Sequence, residues 1–228
     1  VDLRIFTDRN YTIGLVLVFI FGMLNFAPMV LFPPLMQELR GYPSSVVGLL
    51  MGARGVGTFI GFLIMAFAGK MDPRIPLFIG FVCQGYAGWE MSQFSINMTT
   101  FDVAWTSALQ GLGVGLCWVP IAVAAFSSLP SQFLAEATAL FHLIRNFASS
   151  LYISISVAVV LRMAAINREE IASTIDPHGP AFQHQQAERP WATEPGVELL
   201  RLTEEIQRQA LLIGYIDAFK LFSIISFL

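Results

Sequence analysis

Six apolar runs, each close to twenty residues, constrain this chain more than any motif in it. They occupy residues 12–32, 46–68, 75–94, 103–126, 135–161 and 211–228. A run of that length matches a hydrocarbon core about 30 Å thick. Lipid offers no water to backbone N–H and C=O groups, so each run must close its own hydrogen bonds as a helix. Composition agrees: of 228 residues 55% are hydrophobic and 13% charged, about half the charge of a soluble domain. The expected fold is therefore an all-α integral membrane protein with six transmembrane helices.

Residues 1–11 contain Arg4 and Arg9 and carry no apolar signal core, so they read as a cytoplasmic linker. Residues 12–166 hold five spans with short loops. An extracytoplasmic loop follows over 167–210, and 211–228 form the last span. The missing initiator Met and the lack of a basic flank after Leu228 give the expectation of a fragment with an incomplete last helix. With the N-terminus inside, Lys70 and Arg74 also fall in the cytoplasm, as basic residues near span ends should. The outer stretch 167–210 holds eight acids against four arginines. Its first part, with His178 and His184, is Pro- and Gln-rich and reads as irregular. From Glu194 onward Leu199, Leu202, Ile206 and Ala210 recur at helical spacing, predicting an amphipathic helix that leads into the last span. No metal-ligand spacing is present, and Cys83 and Cys117 read as packed thiols.

Small residues four apart let helix backbones approach, which matters where apolar burial does not drive association. Gly48/Gly52, Gly57/Gly61 and Gly111/Gly115 have that spacing and are expected to pack helices. Pro28 deletes one helical hydrogen bond and is expected to kink or end the first span. Asn25, one turn earlier, either satisfies freed backbone groups or faces a cavity.

In the fifth run Thr138, His142, Arg145, Ser149 and Tyr152 fall on one helical stripe. A guanidinium at mid-bilayer costs about 2.5–3.5 kcal/mol on insertion scales, so this stripe must face the bundle interior or an aqueous cavity. Arg54 makes the same demand in the second run, and Gln110 adds an amide in the fourth. Either these groups satisfy one another and nearby carbonyls, or they line a cavity. Histidine is the side chain suited to taking up a proton near neutrality, which leaves a protonation role open for His142. Asp217 stands where it can pair locally with Lys220. The candidate cavity or coupling set is Asn25, Phe26, Arg54, Gln110, Trp118, His142, Arg145, Ser149 and Tyr152, with the aromatics open to a plain packing role.

Segments 31–43 (LFPPLMQELRGYP), 48–61 (GLLMGARGVGTFIG), 69–80 (GKMDPRIPLFIG), 109–121 (LQGLGVGLCWVPI), 129–150 (LPSQFLAEATALFHLIRNFASS) and 206–222 (IQRQALLIGYIDAFKLF) together resemble the C-terminal half of EmrB-type multidrug efflux transporters. These form the fourteen-helix drug:proton antiporter branch of the major facilitator superfamily. The resemblance implies a six-helix half built from two inverted three-helix repeats, with the N-terminal half missing. It implies proton-coupled efflux of lipophilic or amphipathic drugs across the bacterial inner membrane by alternating access. The proton gradient is the energy source and no cofactor is involved. Implied partners are a periplasmic membrane-fusion adaptor and an outer-membrane channel, besides lipid and substrate; nucleic acid is not among them. Lys70, Asp72 and Arg74 match the family's cytoplasmic gate loop. Arg145 matches the arginine of an Asn-x-x-Arg pattern facing the central cavity, with His142 at the asparagine position. Tyr152 replaces a family glycine. An uptake permease of the same fold, separable by flux direction, and a non-transporting sensor or scaffold, which would show no counterflow, are the other classes. A membrane enzyme would need a catalytic constellation, and no HExxH, nucleophile elbow, phosphate loop or paired intramembrane carboxylates occur.

Overall fold

The computed structural model describes residues 3–67, 71–174 and 195–227. Six long helices make up the described chain: α1 Arg9–Pro34, α2 Ser44–Phe67, α3 Arg74–Ser92, α4 Thr100–Phe126, α5 Leu134–Thr174 and α6 Pro195–Phe227. Five of the six lie in segments long and apolar enough to cross a membrane. The sixth, α3, falls short because Gln84, Glu90 and several small residues dilute it, and it is held through its small face against α4 and α6. Exposure is inverted relative to a soluble bundle. Leu49, Phe59, Phe67, Phe78 and Phe101 point outward, where lipid can solvate them.

Helix ends follow local chemistry. The Asp8 carboxylate caps α1, accepting from Asn10 N at 2.8 Å and Tyr11 N at 3.1 Å, and it also accepts from Ser128 Oγ at 2.9 Å. Thr99 and Asp102 form a capping box at the start of α4, satisfying N–H groups that a helix start leaves unpaired. α1 neither stops nor breaks at Pro28. It continues through Pro33 and Pro34 into a π turn, Leu35–Leu39, and Gly41, at φ +65°, makes the turn that follows.

One boundary differs from the sequence expectation, and the expected lead of the amphipathic segment into the last span is seen. α5 runs past residue 166 to Thr174, and its 41 residues measure about 60 Å at 1.5 Å per residue, far more than a bilayer core. α6 is one unbroken helix from Pro195, so the amphipathic segment and the last span are continuous. The projecting ends of α5 and α6 are joined where Arg168 Nη1 donates to Gln207 Oε1 at 3.3 Å. The irregular part of the loop, with His178 and His184, lies outside the described residues.

Packing has a repeat pattern. α2 lies against α4, and α5 lies against α1; exchanging the first three helices with the last three turns one pair into the other. α1 and α4 also touch directly, while α3 and α6 meet on the far side. Contacts between loops show which loops share a side. Asp8 meets Ser128 at one end of the bundle. At the other end Arg40 donates to the Ile96 carbonyl, and Arg208 Nη2 donates to Leu39 O at 2.6 Å.

Candidate functional site

The helix crossings fix where polar groups can stand. A Cβ on Gly57 would lie 1.9 Å from Ala108 O, and one on Gly111 would lie 2.1 Å from Arg54 O. Gly61 and Gly115 meet each other in the same seam. Gly48 and Gly52 are different: each faces open space and packs no helix among the described residues. Sequence spacing also passed over single glycines at other crossings. Gly22 abuts the Arg145 carbonyl, Gly80 and Gly113 lie between α3 and α4, and Gly214 meets Val160 O. None of these four glycines pairs with another glycine four positions away at its crossing, so the i, i+4 signal could not find them.

Close approach of α2 to α4 places Arg54 over a polar cluster. Its Nε donates to Gln110 Oε1 at 2.7 Å, and Nη2 donates to both Asn25 O and Asn25 Oδ1 at 2.7 Å. Gln110 Nε2 reaches Leu24 O at 3.5 Å. That carbonyl lacks its helical donor because residue 28 is proline. Thus Gln110, rather than Asn25, serves the backbone group freed by Pro28, while Asn25 serves the arginine. Three helices are tied together at membrane depth by charge-assisted hydrogen bonds.

Arg145 stands otherwise. Its Cζ lies 5.1 Å from the centroid of the Trp118 ring, within cation–π range. Its Nε and Nη2 reach Asn146 Oδ1 at 3.4 and 3.2 Å, and no other acceptor engages the guanidinium among the described residues. The His142 ring packs 6.1 Å from Trp118 and edge-on to Phe141. The buried Phe21 ring lies 5.7 Å from Trp118. Arg145, His142 and Trp118 are all half-buried. Together they make a cationic and aromatic surface that opens from the bundle.

The stripe expected on α5 divides. Ser149 and Tyr152 turn into the packed core. Ser149 Oγ donates to Gly22 O at 2.6 Å and to Arg145 O at 3.0 Å, and Tyr152 is fully buried among Leu24, Ala27 and Phe222. Neither lines an open cavity, because the close α1–α5 crossing at Gly22 draws that side of the helix inward. Thr138 is exposed and bonds back to Leu134 O. Asn25 and Gln110 are buried in the Arg54 cluster, and Phe26 is half-buried on α1. In the expected gate loop Lys70 lies outside the described residues. Asp72 Oδ1 accepts from Arg74 N at 3.0 Å at the start of α3, and no ion pair joins the Asp72 and Arg74 side chains. Lys220 donates to Asp217 at 3.0 Å as expected. Cys83 and Cys117 are free thiols.

No family model matches the chain. Among curated proteins, the multidrug export protein EmrB of Escherichia coli (strain K12) is 29% identical over 185 residues, covering 80% of this chain and 36% of that protein. The Haemophilus influenzae protein of the same name is 28% identical over 226 residues, covering 96% of this chain and 44% of that protein. The fatty acid resistance protein FarB of Neisseria gonorrhoeae is 25% identical, covering 96% of this chain and 44% of that protein. The chain spans less than half the length of these relatives, the share a transporter half would occupy. With six long helices, a glycine seam and this breadth of similarity, the chain is a multi-pass membrane protein similar to EmrB-type multidrug export proteins.

Proposed function

We propose that this chain is one half of a proton-coupled exporter that moves lipophilic or amphipathic compounds across the bacterial inner membrane by alternating access. The observation that carries the reading is similarity to named export and resistance proteins over 80% or more of the chain. The surface around Arg145, His142 and Trp118 supplies what such a cavity wall needs, broad aromatic contact with few polar groups. The opposing wall belongs to a second half. The glycine-lined α2–α4 seam, braced by Arg54, keeps this half rigid while the two halves rock around the substrate. Proton binding and release take place on acidic groups of the other half, since the cavity surface described here holds no carboxylate. The hairpin formed by the projecting ends of α5 and α6 is the docking point for a periplasmic adaptor that passes substrate to an outer-membrane channel.

The test uses the full-length protein in inverted membrane vesicles. On imposing a proton gradient, a lipophilic fluorescent dye should accumulate inside, and collapsing the gradient should release it. Gradient-driven loss of dye from the vesicles would instead make the protein an uptake permease. Absence of gradient-dependent movement of any probe would leave a sensor or scaffold.

A further inference from the structure

Arg54 and Arg145 are two copies of one device. Each is followed four residues later by a hydroxyl that bonds back to the arginine carbonyl, Thr58 Oγ1 at 3.0 Å in one case and Ser149 Oγ at 3.0 Å in the other. Each carbonyl is also abutted by a glycine from the first helix of the opposite repeat. A Cβ on Gly111 would lie 2.1 Å from Arg54 O, and one on Gly22 would lie 2.5 Å from Arg145 O. Counting along α1 and α4 from these two glycines aligns the surroundings. Phe21 matches Gln110 as the residue before, Asn25 matches Val114 three residues after, and Met29 matches Trp118 seven residues after. The last match is geometric too. Arg54 Nη1 lies 3.9 Å from Met29 Sδ, and the Arg145 guanidinium lies over the Trp118 ring.

The copies differ in what they offer the guanidinium. Arg54 has Gln110 and Asn25, both accepting at 2.7 Å. The matching places hold Phe21 and Val114, two buried apolar side chains that offer no acceptor. The Arg145 donors are left with Asn146 alone, at 3.2–3.4 Å. A planar fork of five donors facing an open aromatic surface is matched to a bidentate oxyanion. We infer that duplication left one arginine as a structural tie and freed the other, so that Arg145, seated on Trp118, is the binding group for a carboxylate.

The carboxylate belongs to a ligand, an acid on an apolar body that stacks with the half-buried Trp118 and His142. The inference rests on the reading of this surface as a substrate cavity and adds the ligand's charge and the residue that recognises it. The other source of the same chemistry is an Asp or Glu side chain from the remainder of the protein.

Binding of 1-pyrenebutyrate and of its methyl ester to the full-length protein in detergent, without any gradient, tests this. Wild type should prefer the acid. Arg145→Ala should raise the Kd for the acid by about tenfold or more, the effect of losing a hydrogen bond to a charged group, and leave that of the ester unchanged. The double variant Phe21→Gln/Val114→Asn gives Arg145 the acceptors that hold Arg54 and should abolish the preference with the charge still present. Arg54→Ala should lower thermal stability and keep the acid-over-ester ratio. Equal binding of acid and ester by wild type, with a fall in the unliganded melting temperature in Arg145→Ala, would assign the guanidinium to an internal carboxylate and overturn the proposal. Equal weakening of acid and ester in Arg145→Ala would overturn it as well. Failure of the export reading is read separately, in energised vesicles: selective acid binding without transport would sink that reading and leave this one intact.

Discussion

Replacing Gly111 with alanine adds one methyl group at one of the two tightest points between α2 and α4. The new Cβ would lie 2.1 Å from Arg54 O, 2.9 Å from its carbonyl carbon and 3.1 Å from its Cα. An ordinary carbon–oxygen contact is about 3.3 Å, and all three nearby atoms are backbone, so no side chain can turn aside. The helices must separate by about 1 Å. Such overpacking costs about 1–3 kcal/mol by itself. A shift of that size also stretches the 2.7 Å bond from Arg54 to Gln110, and hydrogen bonds to charged groups contribute about 1.5–3 kcal/mol each. The expected total is a loss of about 3–5 kcal/mol, read as a large drop in melting temperature of the full-length protein in detergent. Gly52→Ala is the matched control. Its Cβ meets nothing within 4 Å, so it should be neutral or gain up to about 1 kcal/mol from helix propensity. Equal melting temperatures for Gly111→Ala and Gly52→Ala would refute the reasoning, since only the contact distance separates the two.

Arg54→Ala should destabilise the protein by about 2–4 kcal/mol, because it strands Asn25 and Gln110 as buried amides; a melting temperature equal to wild type would show that the cluster holds nothing together. Pro28→Ala restores a helical donor to Leu24 O, so Gln110→Leu should cost about 1 kcal/mol less in that background; a double-mutant cycle measures the difference, and zero coupling would remove Gln110 from the proline site. Tyr152→Phe should be neutral or stabilising, since the Tyr152 hydroxyl is buried without a hydrogen-bond partner; a clear loss of stability would mean that the hydroxyl is engaged. The Asp8 carboxyl is held below its usual range, first by the Tyr11 N–H, then by the Ser128 hydroxyl, with Asn10 N–H adding to them. A depressed carboxyl stabilises the fold at pH above its unfolded value and loses that contribution as pH falls through the folded value. Asp8→Asn should therefore lower the melting temperature at neutral pH, and the gap to wild type should close in acid.

Which parts of this fold could be read from the sequence follows from the range of each signal. Spans were legible because bilayer thickness imposes a length on every helix independently of its neighbours. The Gly57/Gly61 and Gly111/Gly115 seam was legible because the helix period alone puts those pairs on one face. Identical spacing at Gly48/Gly52 pointed to packing that the described residues do not make, since a local pattern cannot say whether another helix is present. The polar groups were harder for the same reason. Spacing on α5 put Arg145, Ser149 and Tyr152 on one stripe, yet a few tens of degrees of helix rotation, set by Gly22 on a distant helix, sends two of them into the core and leaves one on the open surface. Arg54 and Arg145 are each a cation in an apolar run, and along the chain only the glycines around Arg54 point it toward a packed crossing. Their roles diverge through residues 21, 25, 110 and 114, more than twenty positions from either arginine. A charge in a span thus announces that it needs a partner. Which partner it has is decided by the helices packed against it, and here those helices answer the demand of Arg54 in full and leave that of Arg145 open.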